Sequence, residues 1–302
     1  ENSGEIRTRG FELELSWKNN IGDFYYQIGA NLANNKSKVM SYNNPTRILS
    51  TYYEGQTLGE LWGYKTDGLF QSTDEVANWP SQSFLWAGKW NPGDLKYQDL
   101  DKNGKVNNGT NTADDHGDMV VVGNQLPQYL YGFNASAAWK GFDFSVFFQG
   151  VGKQDLYISE IFNGNIFRGP ANGPFHMMVY PEHLDYWRDA TSALGANPNA
   201  YYAKPYSVFD GDNSKAHGRP TDRYLQNGAY MRLKNLRVGY TIPEKLSNKV
   251  LVKRANIYFS GENLFIMKNM DLLDPEQTGG RNGDGRTYPL SKSFSLGLNI
   301  NF

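Results

Sequence analysis

The chain has no cysteine, which excludes thiolate metal sites, a cysteine nucleophile and any disulfide framework. It also lacks an excess of either charge: 30 Lys and Arg stand against 31 Asp and Glu, for a formal net charge of −1. A basic footprint for nucleic acid is therefore missing, as is the acidic surplus of a disordered chain. No apolar run reaches the ~18 residues of a membrane helix, and mean hydropathy is −0.62. The opening ENSGEIRTRGFELEL has no charged segment followed by an apolar one, so no signal peptide is expected within it. Catalytic signatures are missing too. His116, His176, His183 and His217 form no H-E-x-x-H pair, and there is no G-x-S-x-G elbow or P-loop, so an enzyme is not expected. Glu12 and Glu14, about 7 Å apart along one strand face, fit a hydrated wall better than an acid pair.

What the sequence does hold is aromatic side chains, 15% of its 302 residues, with 20 Tyr, 17 Phe and 7 Trp. Low hydropathy with abundant aromatics fits a membrane β-barrel, where lipid-facing and lumen-facing residues alternate and rings gather at the interfaces. Period-two segments are the test. Phe11, Leu13, Leu15 and Trp17 share one face of GFELELSW, opposite Glu12 and Glu14. Segments 24–33, 131–139 and 142–149 repeat the pattern, with Gln27, Asn31, Asp143 and Gln149 on the polar side. YMRLKNLRVGY (230–240), ANIYFSGENLF (255–265) and SFSLGLNINF (293–302) complete a set of seven strands.

The connections sort by length. KNNIGD, KG and TIPEKLSNKVLVKR are short or moderate, whereas 34–127, 151–228 and 266–291 are long. Short turns on one side and long loops on the other is the layout of an outer-membrane barrel, periplasmic below and extracellular above. Bacterial single-chain barrels have even strand numbers, so seven strands predict part of a larger barrel. Trp17, Trp139 and Tyr240 are expected as interfacial girdle residues near the short turns.

Several phrases carry a resemblance to a known family. They are LWGYKTDGLFQSTDEV (61–76), PGDLKYQDLDKNGKV (92–106), VVGNQLPQYLYGFNASAAWKGFDFSVFFQGVGKQDLY (121–157), IYFSGENLFIMKNMDLLDPE (257–276) and the closing YPLSKSFSLGLNINF. In order and spacing the chain resembles the SusC/RagA-type TonB-dependent transporters. The resemblance implies that residues 1–302 are the C-terminal part of a β-barrel of about 22 strands, with the N-terminal plug and earlier strands outside this sequence. It implies TonB-dependent import of a nutrient, a glycan or peptide oligomer, across the outer membrane. It also implies a SusD-like surface lipoprotein as partner and TonB contact through the plug. The terminal aromatic strand resembles the signal read by the barrel-assembly machinery. A secreted or surface carbohydrate-binding β-protein with a structural calcium loop is the alternative.

Two sets of candidate site residues emerge. In DLDKNGKV, Asp99, Asp101, Asn103, Gly104 and the Lys105 carbonyl follow the spacing of a calcium loop, in which several oxygens converge within one turn. Position 12 of such a loop would be Thr110, and acids return only at Asp114, Asp115 and Asp118. The expected ligand set is Asp99, Asp101, Asn103, Lys105, Asp114 and Asp115, holding Ca2+. The long loops carry many aromatics, including Phe162 and Phe167. Trp62, Tyr64, Trp86, Trp90, Trp187 and Tyr201 are the candidates to contact substrate or lid. The competing expectation is that loops of this length need apolar cores of their own.

Overall fold

The structure, a computed structural model, describes residues 4–157, 184–206, 220–270, 273–278 and 288–302. Phe162, Phe167, His176, His183 and His217 lie outside the described residues. The chain opens with β1 (Gly4–Ile21) and β2 (Phe24–Tyr42). Four small strands follow: β3 (Glu60–Tyr64), β4 (Thr66–Leu69), β5 (Leu95–Tyr97) and β6 (Met119–Asn124). β7 (Gln128–Trp139) and β8 (Phe142–Lys153) form a second long hairpin, after which β9 (Asp155–Tyr157) pairs with β10 (Leu225–Asn227). β11 (Tyr230–Thr241), β12 (Arg254–Lys268) and β13 (Ser293–Asn301) complete the chain.

All seven strands expected from the alternation are present. They form one antiparallel meander in the order β1-β2-β7-β8-β11-β12-β13. The short turns all lie at one end. Gly22 takes φ +60 between the paired residues Ile21 and Phe24, and Lys140 and Gly141 both take positive φ between Trp139 and Phe142. Two-residue turns with this handedness match the twist of the strands they join. The first turn is therefore shorter than KNNIGD, because β1 continues through Asn20 and Ile21. The third link carries a short helix, Glu244–Ser247.

The register shows how the alternation builds a wall. One row crosses six strands as Phe24, Trp139, Phe142, Tyr240, Ile257 and Leu298. The row two residues along runs Tyr26, Ala137, Phe144, Val238, Phe259 and Leu296. One residue further along, on the other face, lies a polar row: Gln27, Ser136, Ser145, Arg237, Ser260 and Ser295. A one-residue slip in any strand would exchange the two faces, so burial of one face in lipid fixes the pairing. Outward apolar side chains stand in the open, with Phe142 55% and Leu296 80% exposed. A row of that kind is stable against lipid and not against water. This is a segment of a transmembrane antiparallel β-barrel with long extracellular loops. No helix among the described residues is long and apolar enough to cross a membrane, which does not bear on crossing by strands.

The core sits elsewhere, in the long connections. Tyr64, Leu69, Leu95, Tyr97 and Val106 from the first connection pack with Leu156, Trp187, Ala200, Tyr202 and Tyr224 from the second and Met270 from the third. The expectation was a small core for each loop; the described residues instead share one.

Candidate functional site

Polar and charged side chains gather on the inner face of the sheet and in the loop module at its long-loop end. At the short-turn end of the inner face, a hollow of about 910 Å³ is lined by Tyr25, Asp143, Arg237, Arg254 and Asn256, among others. Arg237 Nη1 donates to Asp143, and its Nη2 donates to Asn256 Oδ1 at 3.0 Å. Asn256 Nδ2 donates to Asp143 Oδ2 at 3.0 Å and to Thr241 Oγ1 at 3.1 Å, and the guanidinium lies 4.6 Å from the Tyr258 ring centroid. Four side chains from three strands thus satisfy one another's hydrogen bonds across the wall, with Arg237 and Asp143 balancing each other's charge. Glycine makes this packing possible: a Cβ on Gly239 would stand 2.4 Å from Asp143 Oδ2, and one on Gly29 would stand 2.3 Å from Asn134 Oδ1.

Higher on β11 a second charged group lies where sequence reasoning had placed nothing. Arg232 is 3% exposed and pairs with Asp274 and, at 3.4 Å through Nε, with Glu276. Lys234 Nζ reaches Glu276 Oε2 at 2.8 Å. The turn Pro275–Gln277 carries Glu276, and Asp274 just before it caps the turn by accepting the Glu276 amide. These contacts tie the third long connection to the wall. The available signal was Asp-Pro-Glu at 274–276, a helix-start pattern with acids in its first turn, opposite Arg232 and Lys234 spaced for one strand face.

The loop aromatics divide by environment. Tyr64 and Trp187 are buried in the shared core. Trp62 is half-buried, donates through Nε1 to Glu60 Oε1 at 3.1 Å and to Tyr53 Oη at 3.2 Å, and packs on His116. Trp90 packs edge-on against Tyr97, and its Nε1 donates to the carbonyl of half-buried Trp86 at 3.2 Å. Tyr201 is half-buried, accepts from Gln226 Nε2 at 2.9 Å and packs edge-on against Tyr202 and Tyr224. Burial pushes the Tyr224 phenol up to about 12, so it is neutral where its oxygen accepts the Ala203 amide. Trp139 and Tyr240 lie in the outward row nearest the short turns, and Trp17 donates to the Tyr26 hydroxyl at 3.2 Å.

The acidic turn brings Asp99 and Asp101 together with Asp118, their carboxylate oxygens within 4.8 Å of one another. Asp118 is fully buried; it accepts the Leu100 amide at 2.6 Å and the Asn107 amide at 2.8 Å. Gly104, at φ +84, lets the chain bend so that its amide and that of Asn103 reach Asp99 at 2.8 and 3.2 Å. Asn103 Oδ1 accepts the Lys105 amide at 2.9 Å. Desolvation, opposed by the Asn103 amide and reinforced by the charges of Asp118 and Asp99, holds the Asp101 carboxyl above its ordinary value. Such crowding of carboxylates suits a hard divalent cation. Asp114 is placed elsewhere, paired with Arg47, and Asp115 accepts the Thr110 amide at 3.0 Å.

Comparison with known proteins points one way. No protein-family model matches the chain. The TonB-dependent receptor P3 of Formosa agariphila is 27% identical across the whole of this chain, which covers 29% of that relative. The TonB-dependent receptor P26 of the same organism is also 27% identical, with 30% of its length covered. This chain therefore spans about 30% of the length of the curated relatives it matches. Among solved structures, the RagAB peptide transporter superposes over the full chain with a TM-score of 0.69 at 19% identity, covering 30% of the matched chain. The RagAB peptide importer in the closed-closed state gives a TM-score of 0.66 at 17% identity. At those identities the likeness is one of fold.

Proposed function

We propose that this chain, which is related to the TonB-dependent receptors of SusC/RagA type, forms wall and rim of an outer-membrane importer for a nutrient oligomer. The observation that carries the reading is the two-faced sheet. Its outward rows are apolar, its inward rows are polar, and its links are sorted into short turns and long loops. The whole sheet is matched along its length by TonB-dependent receptors. The inner polar rows surround a plug supplied by the rest of the protein, and TonB acts through that plug. The shared loop module is the platform on which a SusD-like lipoprotein closes over its cargo. A peptide oligomer is favoured by the RagAB neighbours, described as a peptide transporter and importer, and a glycan is the other candidate. Half-buried Trp62, Trp86, Trp90 and Tyr201 are the residues best placed to touch lid or cargo, whereas Tyr64 and Trp187 support the platform from within. Asp99, Asp101, Asn103, the Lys105 carbonyl and Asp118 form a calcium site that stiffens the same platform.

The test is extraction of the native protein from membranes in mild detergent, with identification of all co-purifying species by mass spectrometry. The importer reading expects contiguous further sequence and a surface lipoprotein. Recovery of the chain by itself in the aqueous fraction would refute it.

A further inference from the structure

We propose that the outward face of the β1–β2 hairpin, just beyond its apolar belt at the long-loop end, binds the phosphates of an outer-leaflet lipid headgroup. The residues are Arg7, Arg9, Lys36 and Lys38. The strands alternate faces, so Arg9 and Arg7 continue the outward row of Phe11, Leu13, Leu15 and Trp17, and Lys36 and Lys38 continue that of Phe24, Tyr26, Ile28 and Leu32. Pairing then brings the four cations together, Arg9 directly opposite Lys36 and Arg7 directly opposite Lys38. The intervening pair, Thr8 and Ser37, joins hydroxyls at 2.7 Å on the other face. All four basic residues are exposed.

Two like-charged pairs set directly opposite each other are destabilising in a sheet. Among the described residues the cluster's one ion pair is Arg7 with Glu5 at 3.6 Å, and both partners are open to solvent. Four cations thus share one carboxylate, an arrangement that an external anion relieves.

Depth identifies the anion. The outward row from Phe11 to Ile21, apolar except at Asn19, spans about 34 Å along the strand, or about 26 Å of height at a tilt of ~40°, close to the usual apolar band of ~25 Å. Arg9 and Lys36 then stand about 5 Å above the hydrocarbon and Arg7 and Lys38 about 10 Å, which is the headgroup zone. The belt already touches lipid, so the cluster continues an interface the fold requires. Lysine serves as a point charge for phosphate and arginine as a two-toothed donor. At the other end the same rows finish in Asn19, Ile21 and Phe24, with no such cations.

The experiment uses the full-length protein in detergent micelles, titrated with bis-phosphorylated lipid A and with the dephosphorylated lipid. Binding is read by native mass spectrometry, with inorganic phosphate as competitor. The expected result is phosphate-dependent lipid binding that falls at least a hundredfold in Arg7→Gln/Arg9→Gln/Lys36→Gln/Lys38→Gln, from four headgroup-level cations, and survives in Lys245→Gln/Lys249→Gln at the short-turn end. If the quadruple variant does not insert, Arg9→Gln/Lys36→Gln decides, with Arg9→Lys expected to retain binding. Equal binding of the dephosphorylated lipid, unchanged binding in the charge-removal variants, or displacement by inorganic phosphate at the concentration of lipid phosphate would overturn the proposal.

Discussion

Replacing Arg232 by Met tests whether the third long connection is held down by charge. In the wild type Arg232 faces Asp274 and Glu276 with its side chain 4% exposed, while Glu276 is 12% and Asp274 24% exposed. Removing one member of a buried ion pair costs ~3–5 kcal/mol, chiefly because the remaining charge is stranded. Lys234 still holds Glu276 at 2.8 Å, and Asp274 is partly wet, so the lower figure of about 3 kcal/mol applies. That energy corresponds to roughly two orders of magnitude in the local opening equilibrium. The assay is amide hydrogen exchange over residues 273–278 in the folded full-length protein. Exchange there should accelerate about a hundredfold, with the β8–β11 ladder unchanged. The double variant Arg232→Met/Asp274→Asn should be milder than the single one, since it removes the stranded charge as well. Wild-type exchange in Arg232→Met, or a double variant worse than the single, would refute the reasoning.

Four further outcomes follow from the same geometry. Phe144→Arg, on an outward row inside the belt, should cost about 2–4 kcal/mol of barrel stability, and Phe24→Arg in the row nearest the short turns about 0–1; equilibrium folding into lipid vesicles measures both. Gly29→Val should cost roughly 1–3 kcal/mol by overpacking against Asn134, seen as a lower unfolding midpoint, and no shift would mean the wall has slack there. Calcium should slow proteolysis within residues 99–118 and chelator should restore cleavage; Asp118→Asn should abolish the protection, and protection unchanged in that variant would remove Asp118 from the site. Asn256→Ala should loosen the Arg237–Asp143 pair by about 1 kcal/mol through its lost hydrogen bonds, measured as faster exchange at the short-turn ends of β8 and β11.

The strands were legible because a membrane wall imposes a strict period of two on one chain segment at a time. Their lengths were less so. GFELELSW marks eight residues of an 18-residue strand, since beyond the belt Arg7 and Arg9 carry no apolar contrast to their neighbours. β2 outruns its expected end at Ala33 for the same reason, continuing through Lys36 and Lys38 to Tyr42. The acidic turn shows a different limit. Asp99 and Asp101 follow from local spacing, but Asp118 reaches them only after the intervening chain folds back, so spacing alone pointed to Asp114 and Asp115. Whether an aromatic such as Trp187 is covered depends on a partner over a hundred residues away, as with its hydrogen bond to Gln71 at 3.2 Å.

The shared core of the three long connections bears on how such a protein could be re-engineered. Tyr97, Trp187 and Met270 come from different connections yet belong to one interior. The loops are therefore not interchangeable parts. Transplanting a single connection from a relative would leave its guests' apolar sides facing water, while moving all three together would keep the interior intact. Changes confined to the outside of the module would leave that interior as a fixed chassis.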